Sequence, residues 1–130
     1  AERSAPGKRD ERKSEPEPER EQQPMISFDD FKSLDIRLAV VLEAEPVEKT
    51  DKLLKLRIDV GGEERQIVAG IAQHYSPDEL VGKTIVILAN LEPATIRGVE
   101  SQGMLLAATG DDGLALLVPD RKLGAGAKVS

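Results

Sequence analysis

Apolar residues return at every second position along much of this chain. Between Leu34 and Val47, Ile36, Leu38, Val40 and Leu42 fall on one face, with Asp35, Arg37, Ala39 and Glu43 on the other. A period of two over that length predicts a long strand with one buried side. Leu54, Leu56, Ile58 and Val60 repeat the pattern against Lys55, Arg57 and Asp59. Gly61-Gly62 then turns the chain into Glu64–Ile71, so the second and third strands read as a hairpin. Ser76-Pro77-Asp78-Glu79-Leu80 predicts a short helix, with Ser76 as cap and Pro77 at the first helical position, ended by Gly82. Thr84–Leu91 and Met104–Thr109 predict two further strands, and Gly110-Asp111-Asp112-Gly113 a turn into Leu114–Val118. Pro119-Asp120 and the glycines at 124 and 126 leave an irregular C-terminal extension.

Five or six strands with one short helix between the third and fourth define an all-β domain. A sheet of that size hides its edges best by closing. The helix position matches a five-stranded Greek-key barrel of the oligonucleotide/oligosaccharide-binding type (OB-fold), with a sandwich as the alternative. Ahead of the first strand, Ser27-Phe28-Asp29-Asp30-Phe31 predicts a helical turn capped by Ser27, with Phe28 and Phe31 on one face, expected to plug one end of the core. Residues 1–24 contain no leucine, isoleucine, valine or aromatic residue and alternate Glu, Arg, Lys and Pro. Such a stretch has no apolar surface to offset its ordering entropy, so it is expected to be a disordered charged linker, leaving 25–130 as the domain. A chain that opens on alanine and such a linker reads as a fragment of a larger protein.

Charge narrows the functional classes. The 130 residues carry a formal net charge of -6, and residues 25–130 hold 17 acids against 12 bases. An acidic domain argues against indiscriminate nucleic-acid binding, so any such role rests on a local face. With no cysteine there is no disulfide, thiolate metal site or cysteine nucleophile. No apolar run approaches the roughly 20 residues that span a bilayer, and the N-terminus has no signal-peptide core, so a cytoplasmic protein without membrane contact is expected. His74 is the single histidine, and no phosphate loop, metal-ligand pair or triad accompanies it. No catalytic residue, metal, cofactor or small-molecule substrate is expected. Binding has more to work with. Leu88–Ala108 runs between two core strands and concentrates Asn90, Arg97, Ser101 and Met104 beside Gly98 and Gly103. Arg37 and Arg57 on outward strand positions, with Lys52, could line the same groove. Aromatics are scarce, which favours shape recognition over stacking on a run of bases.

Asp35-Ile36-Arg37, Asp51-Lys52-Leu53, Gln66–Ile71 and above all Asn90–Met104 resemble the structure-specific tRNA-binding domain family. The ordered set Asn-Leu-x-Pro, Arg-Gly and Ser-x-Gly-Met carries the resemblance, which covers about residues 26–129. Ser27–Phe31 leading into Leu34–Arg37, and the longer loop Val47–Leu54, are similar to the C-terminal domain of bacterial methionyl-tRNA synthetase. This resemblance implies a non-catalytic appendix of an aminoacyl-tRNA ligase that binds tRNA by shape and phosphate contacts and forms a homodimer. Its implied tRNA-contact positions are Lys52, Asn90, Arg97, Ser101 and Met104, with Arg37 added. Glu92 and Thr95 stand where many members carry lysines, so the implied affinity is modest. A free-standing dimeric tRNA-binding protein, a chaperone-like binder using apolar patches such as Val41 and Val99, and a pure dimerisation module are the alternatives.

Overall fold

The computed structural model describes residues 24–130, and the expected linker falls almost wholly outside them. Helix α1 (Phe28–Lys32) is capped as expected: the Asp30 N–H donates to Ser27 Oγ at 3.0 Å and the Ser27 N–H to the Asp30 carboxylate at 3.4 Å. Phe28 is 71% exposed, however, rather than buried as expected, and its ring lies 6.4 Å from that of Phe31 between centroids. A spacing of three puts two rings on one helix face without saying what that face meets.

Strand β1 (Ile36–Pro46) pairs antiparallel with β2 (Leu54–Asp59), which pairs with β3 (Glu64–Ala69). On its other side β1 pairs with β4 (Thr84–Leu88), reached through helix α2 (Pro77–Leu80), and the Ser76 N–H donates to Glu79 Oε2 at 2.8 Å to open that helix. Then follow β5 (Ala94–Ile96), β6 (Val99–Ser101) and β7 (Met104–Leu105), the last paired with β4. A hairpin of β8 (Ala107–Gly110) and β9 (Gly113–Leu116) and a final β10 (Lys128–Val129) on β1 complete the chain. The main sheet runs β3-β2-β1-β4-β7. Its two ends are drawn together where the Gln102 N–H donates to the Gln66 carbonyl at 2.8 Å and the Val68 N–H to Ser101 Oγ at 3.0 Å. The sheet is thus an almost closed barrel with its helix between β3 and β4, as the strand pattern predicts.

Leu54, Leu56 and Ile58 of β2, Ile67 of β3 and Ile85 and Ile87 of β4 are fully buried in one cluster, with Leu80 of α2 among them. Truncating any one of these to alanine removes about 2–5 kcal/mol. In β1 the side facing this cluster carries Ala39 and Val41, not Ile36 and Leu38. Leu38–Leu42 is apolar throughout, so both parities are candidates, and a bulge between Val41 and Glu43 shifts the phase so that Ala44 follows inward. Ile36 and Leu38 are buried on the opposite face. The C-terminal segment pairs along the edge of β1: the Leu38 N–H donates to the Ala127 carbonyl at 2.9 Å and the Gly126 N–H to the Leu38 carbonyl at 2.7 Å. Gly61 and Gly126 meet in this region, where a Cβ on Gly61 would lie 2.9 Å from the Gly126 Cα. Side chains at either position would force the segment away from the β2–β3 turn.

Candidate nucleic-acid interface

The polar passage between β4 and β7 is a hairpin rather than a loop. Ala94–Ser101, Thr95–Glu100 and Ile96–Val99 pair across β5 and β6, and Arg97-Gly98 forms the two-residue turn. Both turn residues lie in the left-handed region, with φ of 54° and 80°, as the tight turns that match strand twist require. Glycine adopts that conformation freely, whereas arginine does so against steric resistance. The turn therefore holds the Arg97 side chain at the tip of a two-stranded arm, where it is exposed and makes no ion pair among the described residues.

Side chains, rather than a continuous ladder, fasten this arm to the barrel. The Gln66 N–H donates to Gln102 Oε1 at 3.2 Å, and Gln66 Nε2 donates to the Glu100 carbonyl at 2.8 Å. Ser101, 3% exposed, accepts from the Val68 N–H and donates to the Gly103 carbonyl at 3.0 Å, so its hydroxyl is directed inward. A Cβ on Gly103 would stand 2.9 Å from the Leu88 carbonyl oxygen, and its φ of 134° also favours glycine. Met104 follows on β7, opposite Leu88 and partly exposed.

Two shallow depressions meet beside the arm. One is lined by Glu43, Ala44, Glu45, Lys55, Arg57 and Gln66. The next is lined by Glu45, Pro46, Val47, Glu48, Lys55, Arg97, Gly98 and Val99. They share Glu45 and Lys55 and so form one trough across β1 and β2, with Arg57 towards one end and Arg97 towards the other. Its cations differ in their engagement. Lys55 Nζ lies 2.7 Å from Glu45 Oε2, and Arg57 is held between Glu43 at 2.6 Å and Glu64 at 3.1 Å. All these groups are substantially exposed, so each pair contributes about 0.2–1 kcal/mol.

The remaining expected positions lie elsewhere. Asn90 clamps the approach to β1: its Nδ2 donates to the Ser33 carbonyl at 2.7 Å and its Oδ1 accepts from the Asp35 N–H at 3.0 Å. Arg37 Nε donates to Asp35 Oδ1 at 2.7 Å, and Lys128 Nζ stands 3.7 Å from the same oxygen. The Arg37 hydrogen bond, followed by the charges of Arg37 and Lys128, holds the Asp35 carboxyl below its ordinary value of 3.8 against some desolvation, and the same hydrogen bond raises Arg37. Lys52 is exposed in the β1–β2 loop, where its carbonyl accepts from the Ala72 N–H at 3.1 Å. The structure thus brings Arg97 and Arg57 to one trough and gathers Asn90 and Arg37 around Asp35. Val41, expected as an exposed apolar patch, is 1% exposed in the core, because it shares the inward parity of Ala39 ahead of the bulge in β1. Sequence reasoning passed over Arg65, whose guanidinium donates to the Ala89 carbonyl and whose Nε donates to Glu63 at 3.0 Å. It also passed over Lys55 as a site residue, although the strand pattern placed it on the outward face of β2; the register sets it opposite Glu45.

Among the described residues no group of histidines and carboxylates could hold a metal ion, and no helix is long and apolar enough to cross a membrane. The site is an open trough beside a projecting arm tipped by Arg97 on a nearly closed barrel, which defines a polymer-binding module. Residues 36–128 match the family described as "Putative tRNA binding domain", and the chain belongs to that family. It is 60% identical over 109 residues to a methionine–tRNA ligase of Thermotoga maritima, covering 84% of this chain and 17% of that protein. Against the methionine–tRNA ligase of Bacillus subtilis the identity is 47% over 126 residues, covering 97% and 19%. The chain therefore spans less than a fifth of these relatives' length. Among solved structures it is similar to a MetRS-related protein from Pyrococcus horikoshii, with TM-score 0.78 and 39% identity, covering 83% of this chain and all of that one. It is also similar to the chaperone CsaA of Bacillus anthracis, with TM-score 0.74 and 32% identity, covering 82% and all of that chain.

Proposed function

We propose that this chain is the non-catalytic tRNA-binding and dimerisation appendix of a cytoplasmic methionyl-tRNA synthetase, built on the OB-type barrel. The observation that carries the reading is Arg97. It is a guanidinium with no ion pair among the described residues, held at the tip of an arm within the family-matched region, on the rim of the trough across β1 and β2. A guanidinium grips phosphate through two parallel hydrogen bonds. Lys52 adds a second cation with no ion pair among the described residues. Ser101 and Gly103 fix the arm's root, Met104 offers an apolar contact beside it, and Asn90 and Arg37 lie at the other cluster, around Asp35. Recognition on this reading is by backbone shape, without strong sequence preference and without a cofactor. The test is fluorescence anisotropy of labelled tRNA across a salt series. Affinity falls steeply with salt, and Arg97→Ala with Lys52→Ala weakens it more than tenfold at low salt. Binding that ignores both substitutions sinks the proposed face.

Dimerisation is supported by the exposed apolar residues of the C-terminal segment, Leu117, Val118 and Leu123, the last two more than half exposed. A two-fold dimer would use such a patch on both copies. The similarity to the chaperone CsaA favours a second reading, a binder of unfolded polypeptide. Suppression of aggregation by this chain that excess tRNA does not compete away would support it.

A further inference from the structure

The trough beside Arg97 contains more cations than it offers. Lys55 and Arg57 point outward from β2 into the path a backbone would take from Arg97, yet both are occupied. Their partners come from the neighbouring strands: Glu45 and Glu43 of β1 directly face Lys55 and Arg57, and Glu64 of β3, opposite Asp59, reaches Arg57 diagonally. Opposed positions in an antiparallel pair place side chains within easy contact, so the acids are held against these cations by the register itself. Arg97 and its arm lie outside that register, which is why its charge remains uncovered.

Resting on the tRNA-binding reading, we propose that Glu43, Glu45 and Glu64 form an anionic mask that keeps Lys55 and Arg57 from phosphate and holds the tRNA affinity of the trough down. An incoming phosphate must displace a carboxylate already within 2.6–3.1 Å of each cation, and a displaced carboxylate still repels it nearby. Because the pairs are exposed and individually weak, the mask yields to a multivalent polyanion rather than to an isolated one. The trough so built discriminates a correctly shaped polynucleotide, engaged at Arg97 first, from nucleic acid at large. The domain's acidic balance then acts at a particular place rather than as a diffuse field.

The experiment compares Glu43→Gln with Glu45→Gln, combined in the full chain, against a control of equal charge, Asp111→Asn with Asp112→Asn in the β8–β9 turn. All four are exposed side chains, and thermal melting confirms that both variants remain folded. The masking variant is expected to bind tRNA about tenfold more tightly at low salt. The logarithm of its binding constant should fall more steeply with the logarithm of salt, by about 1–2, as two cations join the count of phosphate contacts. The control is expected to gain no more than about twofold, with the slope unchanged, since neither Asp111 nor Asp112 lines the trough or pairs with Lys55 or Arg57. Equal gains in both variants, or an unchanged slope in the masking variant, overturn the mask while leaving tRNA binding through Arg97 intact. Failure of wild type and both variants alike to bind tRNA overturns the mask together with the reading beneath it. Tight binding by the masking variant where wild type shows none supports both.

Discussion

Asn90 spends both ends of its amide on the backbone leading into β1, accepting from Asp35 and donating to Ser33. Removing it breaks both hydrogen bonds, so Asn90→Ala is expected to lose about 1–2 kcal/mol in denaturant unfolding. Asp35 itself is held ionised by Arg37 and Lys128. A carboxyl whose folded value lies below its unfolded one stabilises the fold above the ordinary carboxylate range. That contribution is lost as the pH falls through the folded value. Asp35→Asn is therefore expected to flatten the acid limb of the stability profile below about pH 4, while leaving Arg37 without its partner at every pH. Urea midpoints of both proteins measured across that range check it.

At the scale of elements, the β5–β6 arm depends on side chains of its neighbours. Ser101→Ala strips the buried Val68 N–H and Gly103 carbonyl of their partner and is expected to destabilise by about 1–3 kcal/mol. Amide exchange at Val68 and Gln102 should accelerate more than exchange at Leu56 in the core, and uniform acceleration would show that the seam is not a separate unit. Gln66→Ala is expected to loosen the same seam less, since it removes one hydrogen bond at a partly exposed site. The two long strands and the glycine turn between β2 and β3 were legible because periodicity and turn chemistry coincide there. The arm was not, since two three-residue strands carry no measurable period, and only Ile96-Arg97-Gly98-Val99, an X-Gly pair between β-branched residues, signalled it. The inward parity of β1 was equally hidden, because five consecutive apolar residues and a bulge leave alternation without a phase. Ser101 and Asn90 were legible as special residues, but their hydrogen-bond partners lie 33 and 55 positions away, beyond any local pattern.

For the whole molecule, the opposing features are an acidic balance and a small apolar surface along the last third of the chain. Val118→Glu places a charge in the exposed Leu117–Leu123 segment and is expected to halve the mass seen by light scattering at micromolar concentration, if that segment joins two copies. Melting should then become independent of protein concentration, whereas a dimer's rises with it. The close meeting of Gly61 and Gly126 ties the same segment to the β2–β3 turn. Gly126→Ala is accordingly expected to weaken both folding and self-association, by about 1–3 kcal/mol in unfolding, with Gly124→Ala, which meets open space, as the silent comparison.

Arg97 has a left-handed backbone that its own side chain disfavours. Asparagine tolerates that conformation better, so Arg97→Asn is expected to raise the stability of the isolated domain by up to about 1 kcal/mol even as it abolishes the cation. A search for hardier variants of this domain would thus drift away from arginine at the turn, and a search for binding would drift back. Persistence of arginine there under selection for tRNA capture, and its disappearance under selection for thermal endurance alone, would expose the two demands as separate pressures on one residue.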